Sequence, residues 1–229
     1  RPMFQTEDLK IFAEPVFSNK YIITVDTARG KEGDNSAFVV FDISTYPIKI
    51  VARYKNNTIS PLLYPNIIHS VAEKYNKAWV LVETNDNGQQ VADILHQDLE
   101  YENMISESYH SPIMGIRTTK LTKKIGCSNF KDLVESKKLL IPDSDIIAEI
   151  SNFIQKKTSY QAEDGETDDL VMCCVMFSWL IRQPMYMHIS DNKIQEKLSE
   201  ERAKIIEEST LPFGFIEDGL DTNVIPQTI

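Results

Sequence analysis

The apolar positions along this 229-residue chain change period several times, and each change marks an expected element. Residues 21–25 (YIITV) form a short β-branched run, the pattern of a buried strand. GKEGDN at 30–35 is a turn by composition. SAFVVFDI at 36–43 predicts a second strand, which Thr45-Tyr46-Pro47 breaks. From 48 to 54 the pattern alternates: Ile48, Ile50, Ala52 and Tyr54 point one way, and Lys49, Val51 and Arg53 the other. This predicts a third, half-exposed strand.

The period then lengthens. Ile67, Ile68, Val71, Ala72 and Tyr75 recur at helical spacing within 60–75. AWVLV at 78–82 predicts a strand. Gly88, Val91, Ala92, Leu95 and Leu99 then outline an amphipathic helix. A weak strand is expected near 104–105 and a helix over 119–137, although Gly126 sits inside it. Leu139-Leu140-Ile141 reads as a short strand stopped by Pro142, with Asp143 or Ser144 capping a helix through Ile154. Residues 166–183 form a helix that is apolar on every side from Leu170 to Leu180 except at Ser178, so it should be buried all round. Residues 1–19 read as a lead-in segment or linker and 20–189 as the domain. Residues 190–229 read as an acidic tail, with a charged helix over 194–206 and extended chain beyond Pro212. A three-strand meander feeding into βαβ units predicts an α/β ribonuclease-H-like fold: a mixed sheet flanked by helices.

Composition narrows the class. Hydrophobic residues make up 42% and charged residues 25%, which fits a globular domain. No apolar run approaches the roughly 18–20 residues of a membrane span. No charged-then-apolar leader is expected within this chain, and it begins with Arg1 rather than Met, as a cut-out or processed piece of something longer would. Cys127, Cys173 and Cys174 make no disulfide framework and point to a reducing compartment. The four histidines are scattered, which argues against structural zinc. The formal charge of −10 argues, in bulk, against nucleic acid.

Acids stand at the ends of three expected buried elements: Asp26 (YIITVD), Glu83 (WVLVE) and the Asp168–Asp169 pair (ETDDLVM). Singly, each has an ordinary explanation. Asp26 and Asp34 suit a turn, Glu83 a solvated strand end, and Thr167-Asp168-Asp169 a helix cap with acids on the dipole. Together they have another. The first and fourth strands can lie side by side and parallel, so Asp26 and Glu83 would emerge together, and a helix packed across the sheet could bring Asp169 to them. Three converging carboxylates repel one another, and hard divalent ions relieve that repulsion. Two ions about 3.5–4 Å apart activate a water and stabilise the leaving oxygen of a phosphodiester.

The blocks VDTARGKEGDNSAFVVFD, NTIS, VLVETNDNG, LEYE, KKIGCSNFKDLVESKKLLI and ETDDLVM, spread over residues 20–185, carry a family resemblance. The sequence resembles the nuclease domain of the large terminase subunit of tailed phages, the T-even-like myovirus type in particular. The resemblance implies an Mg²⁺- or Mn²⁺-dependent endonuclease, with two ions and no organic cofactor, that cuts concatemeric double-stranded DNA in the host cytoplasm. It implies Asp26, Glu83 and Asp169 as catalytic metal ligands, Asp34 as a secondary one, and Asp168 as a further candidate. The implied partners are the terminase ATPase domain, the portal and the small terminase subunit, and no membrane. Pro61 and Thr167 stand where that pattern has histidines. No G-x-x-x-x-G-K-[ST] loop occurs in the chain, so the ATPase is expected outside it.

The net charge also conceals an asymmetry. Residues 190–229 hold nine acids and four bases, whereas 116–138 hold seven bases and two acids. At about 100° per residue, Lys120, Lys124, Lys131 and Lys138 would share one helix face. With Arg117 and Lys123 they form the expected DNA-backbone contacts, which carry no base information. The alternatives are a resolvase- or transposase-type nuclease of the same fold, an actin-like phosphotransferase or ATPase half-domain, and a non-catalytic docking module that uses the acidic tail. The actin-like reading lacks a second Gly-rich motif.

Overall fold

The computed structural model describes residues 1–28, 35–107, 113–156 and 159–190. Residues 30–34 of the expected turn, Asp34 among them, and the 194–206 helix fall outside the described residues. Three long strands form the expected antiparallel meander: β3 (Tyr21–Asp26), β4 (Ser36–Asp42) and β5 (Ile48–Asn56). They follow two short strands in the lead-in segment, β1 (Phe4–Gln5) and β2 (Leu9–Ile11). Sequence alone predicts no strand there, because three alternating residues carry too little periodicity. These strands form by pairing antiparallel with each other and with residues 52–54 of β5. Helix α1 (Tyr64–Lys74) leads to β6 (Trp79–Val82), which returns parallel to β3. Then come α2 (Gly88–Asp93), a π-helical turn (Ile94–Asp98), α3 (Lys120–Glu135), β7 (Leu139–Leu140), α4 (Ser144–Ser151), β8 (Phe153–Lys156), β9 (Ser159–Ala162), α5 (Asp169–Leu180) and α6 (Pro184–Ile189).

The main sheet runs β1-β2-β5-β4-β3-β6, with β7 parallel to the start of β5. One face is covered by α1, α2 and the π-helical turn, through Tyr64, Ile68, Val71, Val91 and Leu95. The other is covered by α3, α4 and α5. The predicted strand at 104–105 is reduced to a bridge between Met104 and Val80. The helix expected through Ile154 ends at Ser151, and the chain turns into the β8–β9 hairpin, which lies outside the main sheet.

The alternation read along 48–54 fails at one residue. Ala52 pairs with Val40 while Ile50 pairs with Phe41, so Val51 is an extra, bulged residue. A bulge inverts the facing of everything beyond it. Ile48 and Ile50 therefore join the α5 side of the core, while Val51, Ala52 and Tyr54 join the α1 side. Arg53, expected on a half-exposed face, becomes buried against α4. There it donates to Asp143 at 2.8 Å, and it also pairs with Asp145. Asp143 meanwhile caps α4 by accepting from the Asp145 amide at 2.8 Å.

As its pattern predicts, α5 is buried on every side: each residue from Leu170 to Leu180 is at most 9% exposed. It lies between the sheet and α3, and Gly126 is the reason α3 approaches so closely. A Cβ there would stand 2.6 Å from the Val175 carbonyl oxygen. The glycine that seemed to weaken the helix is thus the point where two helices cross. G126A is expected to lower unfolding free energy by about 1–3 kcal/mol through overpacking, despite alanine's better helix propensity. Urea unfolding of the two proteins measures this.

Candidate active site

The site is built where β3 and β6 end. Their parallel register pairs Val25 with Val82, so the next residues, Asp26 and Glu83, lie side by side. The Glu83 amide donates to the Val25 carbonyl at 2.9 Å. Strand alternation turns both carboxylates to the face that Leu81 and Thr24 share with α5. The Thr24 hydroxyl donates to the Cys173 carbonyl at 2.9 Å, tying β3 to α5 one turn beyond Asp169. Gly88 opens α2 directly against Glu83, where a Cβ would stand 1.7 Å from the Glu83 carbonyl oxygen.

A polar cleft of about 360 Å³ results. Asp26, Glu83, Asp168 and Asp169 line it together with Asn85, Thr118, Lys120, Lys123 and residues 159–161 of β9. Glu83 is buried and accepts from the Asn85 amide at 2.8 Å. Asp169 accepts from the Asn35 amide at 2.6 Å, with the Lys55 amine 3.7 Å away. Asp168 lies 3.8 Å from the Lys123 amine. Burial pushes the Asp26 carboxyl well above its usual range, and the negative charges of Glu83, Asp169 and Asp168 push it further. Burial also raises Asp169, against the lowering pull of Asn35 and Lys55. Among the described residues, no three His, Cys, Asp or Glu side chains are gathered closely enough to enclose an ion. Glu83 and Asp169 are instead held by the amides of Asn85 and Asn35.

The lysines divide. Lys120 and Lys124 are exposed on the first turns of α3, and Lys120 borders the cleft. Lys123 lies on the cleft wall, its amine 5.6 Å from the centre of the Phe153 ring. Lys131 is exposed, with Glu135 at 3.7 Å. Arg117 is exposed beside a neighbouring cavity lined by Thr84, Asn85, Asp86 and Gln89. Lys138 does not share the ridge. α3 ends at Glu135, Lys137 has a positive φ of 54°, and Lys138 is only 6% exposed, its carbonyl accepting from Ile48. The face expected from 100° per residue breaks because the helix stops short of it.

Three residues around the carboxylates have no signal in a one-dimensional pattern of acids. Asn35 immediately precedes β4 and Lys55 lies near the end of β5, which antiparallel pairing brings together. Glu149 lies on α4, one turn from buried Ile146. An acid on the buried face of a helix was the one available clue. Its Oε1 accepts from Lys55, and its Oε2 accepts from the Val171 amide at 3.0 Å.

Residues 23–178 match the terminase RNaseH-like domain family, so the chain belongs to that family. Solved structures agree on the fold. The large terminase nuclease from thermophilic phage G20c, with bound magnesium, superposes with a TM-score of 0.62 at 21% identity, over 77% of this chain and 89% of that one. The same nuclease with bound cobalt gives a TM-score of 0.61 at 20% identity, over 77% and 89%. The large terminase nuclease domain of Thermus phage P74-26 gives 0.61 at 22%, over 76% and 86%. The mixed α/β architecture is thus the RNase-H-like fold. The family assignment favours the terminase reading over the resolvase, transposase and actin-like alternatives.

The raised Asp26 carboxyl has a measurable consequence. Because its folded-state value lies above the unfolded one, the protonated form is preferred on folding. The associated stability is full below the ordinary carboxylate range and is lost as pH rises through the raised value. D26N removes that dependence. In EDTA at neutral pH, D26N is expected to melt at a higher temperature than the parent, with the gap closing as pH falls. Thermal scans across pH test this.

Proposed function

We propose that this chain is the nuclease domain of a phage large terminase subunit of the T-even-like myovirus type. It is a divalent-metal-dependent endonuclease that cuts concatemeric double-stranded DNA with low sequence specificity. One observation carries the reading: Asp26, Glu83 and Asp169, distant in sequence, line one cleft, where burial first and the neighbouring negative charges second raise the Asp26 carboxyl. The donor set fits a hard cation. It is carboxylate oxygen throughout, and the four acids outnumber the lysines that approach them, with Lys123 at 3.8 Å from Asp168 and Lys55 at 3.7 Å from Asp169. Asp26, Glu83 and Asp169 would hold two Mg²⁺ or Mn²⁺ ions, with Asp34 secondary and Asp168 adjoining. When bound, such ions supply Lewis acidity to the attacking water and to the departing 3′ oxygen.

The protein's own contribution is positioning. β3 and β6 fix two carboxylates in register, and buried α5 fixes the third. Lys120 and Lys123 on the cleft wall, with Lys124, Lys131 and Arg117 beyond it, would follow the phosphate backbone. Backbone contact carries no sequence information, which is the basis for low specificity. The G20c structures hold magnesium, cobalt or zinc, which supports a divalent requirement without selecting one ion. In this reading residues 20–189 are the nuclease domain and 190–229 a tail. The partners are double-stranded DNA, the terminase ATPase domain, the portal and the small subunit, and the setting is the host cytoplasm. Among the described residues, no helix is long and apolar enough to cross a membrane.

Plasmid cleavage with Mg²⁺ or Mn²⁺ tests the reading. D26A should abolish it, by at least a thousandfold, while circular dichroism shows the fold retained; full cleavage by cleanly purified D26A would refute the proposal. K120A/K124A should weaken DNA binding to all sequences alike. The slope of log affinity against log salt should fall by about two, roughly one phosphate contact per lysine. Titration at several salt concentrations reads both.

A further inference from the structure

An aspartate at the N-cap of a helix ordinarily turns its carboxylate back onto the amides of the first turn, because those N–H groups have no partner within the helix. At α5 this does not happen. Asp168 occupies the N-cap position and makes no side-chain capping bond; its carboxylate faces the cleft and Lys123 instead. The vacant role is filled from another helix. Glu149 of α4 accepts from the amide of Val171, the third residue of α5, at 3.0 Å. It is only 6% exposed, and its other oxygen is occupied by the Lys55 amine and, at 3.3 Å, the Thr167 hydroxyl. Lys55 also donates to Thr167 at 2.7 Å, so the residue just before the acid pair is pinned as well.

We propose that Glu149 is a positioning residue that caps α5 from outside, releasing the Asp168–Asp169 pair from capping so that both carboxylates face the metal cleft. Lys55 is its counter-cation and holds it in place. Without the Glu149 acceptor, the Asp168 carboxylate holds the N-cap position from which a side chain ordinarily satisfies the Val171 amide. Turning it inward withdraws charge from the cleft and drags the adjoining Asp169. The chain acquires this arrangement through the Val51 bulge, which sends Lys55 to the α5 face of the sheet.

The proposal rests on the nuclease reading above and is tested by metal affinity rather than turnover. Two double variants remove the ion pair equally and differ only in whether an acceptor for Val171 remains: K55M/E149Q keeps one and K55M/E149L does not. Apolar or neutral replacement of a buried ion pair is generally tolerated, and circular dichroism checks both. K55M/E149A replaces the Leu variant should that one not fold. Calorimetric titration with Mn²⁺ should show K55M/E149L (or K55M/E149A) binding about tenfold more weakly than K55M/E149Q. Affinities equal within threefold overturn the positioning role. If the parent chain itself binds no Mn²⁺, the nuclease reading fails, and this proposal with it; parent binding with equal variants overturns the positioning role alone.

Discussion

The burial of α5 on all sides is the constraint from which the rest of the site follows. Eleven consecutive residues leave water there, and at about 1.5–3 kcal/mol for each large apolar side chain this is a major share of the core. A helix buried that completely has one orientation available, with its polar first turn where the sheet ends. Asp168 and Asp169 emerge beside Asp26 and Glu83 because the alternative would bury a charged turn without partners. The packing of the core thus overcomes the repulsion of the acids at its edge.

Around that helix, close approach is secured by small residues and by paired charges. Gly126 lets α3 cross α5, and Gly88 lets α2 abut the Glu83 carbonyl. Arg53, Lys10, Asp143 and Asp145 tie the first strands to the start of α4. Lys55 and Glu149 tie the far end of β5 and α4 to the start of α5. The two networks share α4, so the helix that anchors the lead-in strands also supports α5. Buried pairs of this kind contribute little net stability, but losing one partner is costly. Their value here is to fix how α4 meets α5.

The overall architecture was legible because its signals are periodic and long. The meander, the parallel return of β6 and the apolar run of α5 all stand out along the chain. The three principal acids were legible because each sits at the end of such a run. The short strands β1, β2, β8 and β9 were not: β1–β2 and β8–β9 form as hairpins, β2 also pairs with distant β5, and none of the four has the continuous apolar run that marks β6 and β7. The lysine face failed at Lys138 for a related reason, since extrapolating 100° per residue assumes a helix that does not stop at Glu135.

By itself, then, the sequence determined which carboxylates end the buried strands and begin the buried helix, since hydrophobic period and chain order suffice for that. Only the tertiary structure decided which other side chains meet them. The single bulged residue Val51 reverses the facing of Arg53 and Lys55 and carries Lys55 to Glu149 and Asp169. Strand pairing sets such a bulge, because the register of β4 against β5 depends on how two whole strands fit, not on the residues of either one alone.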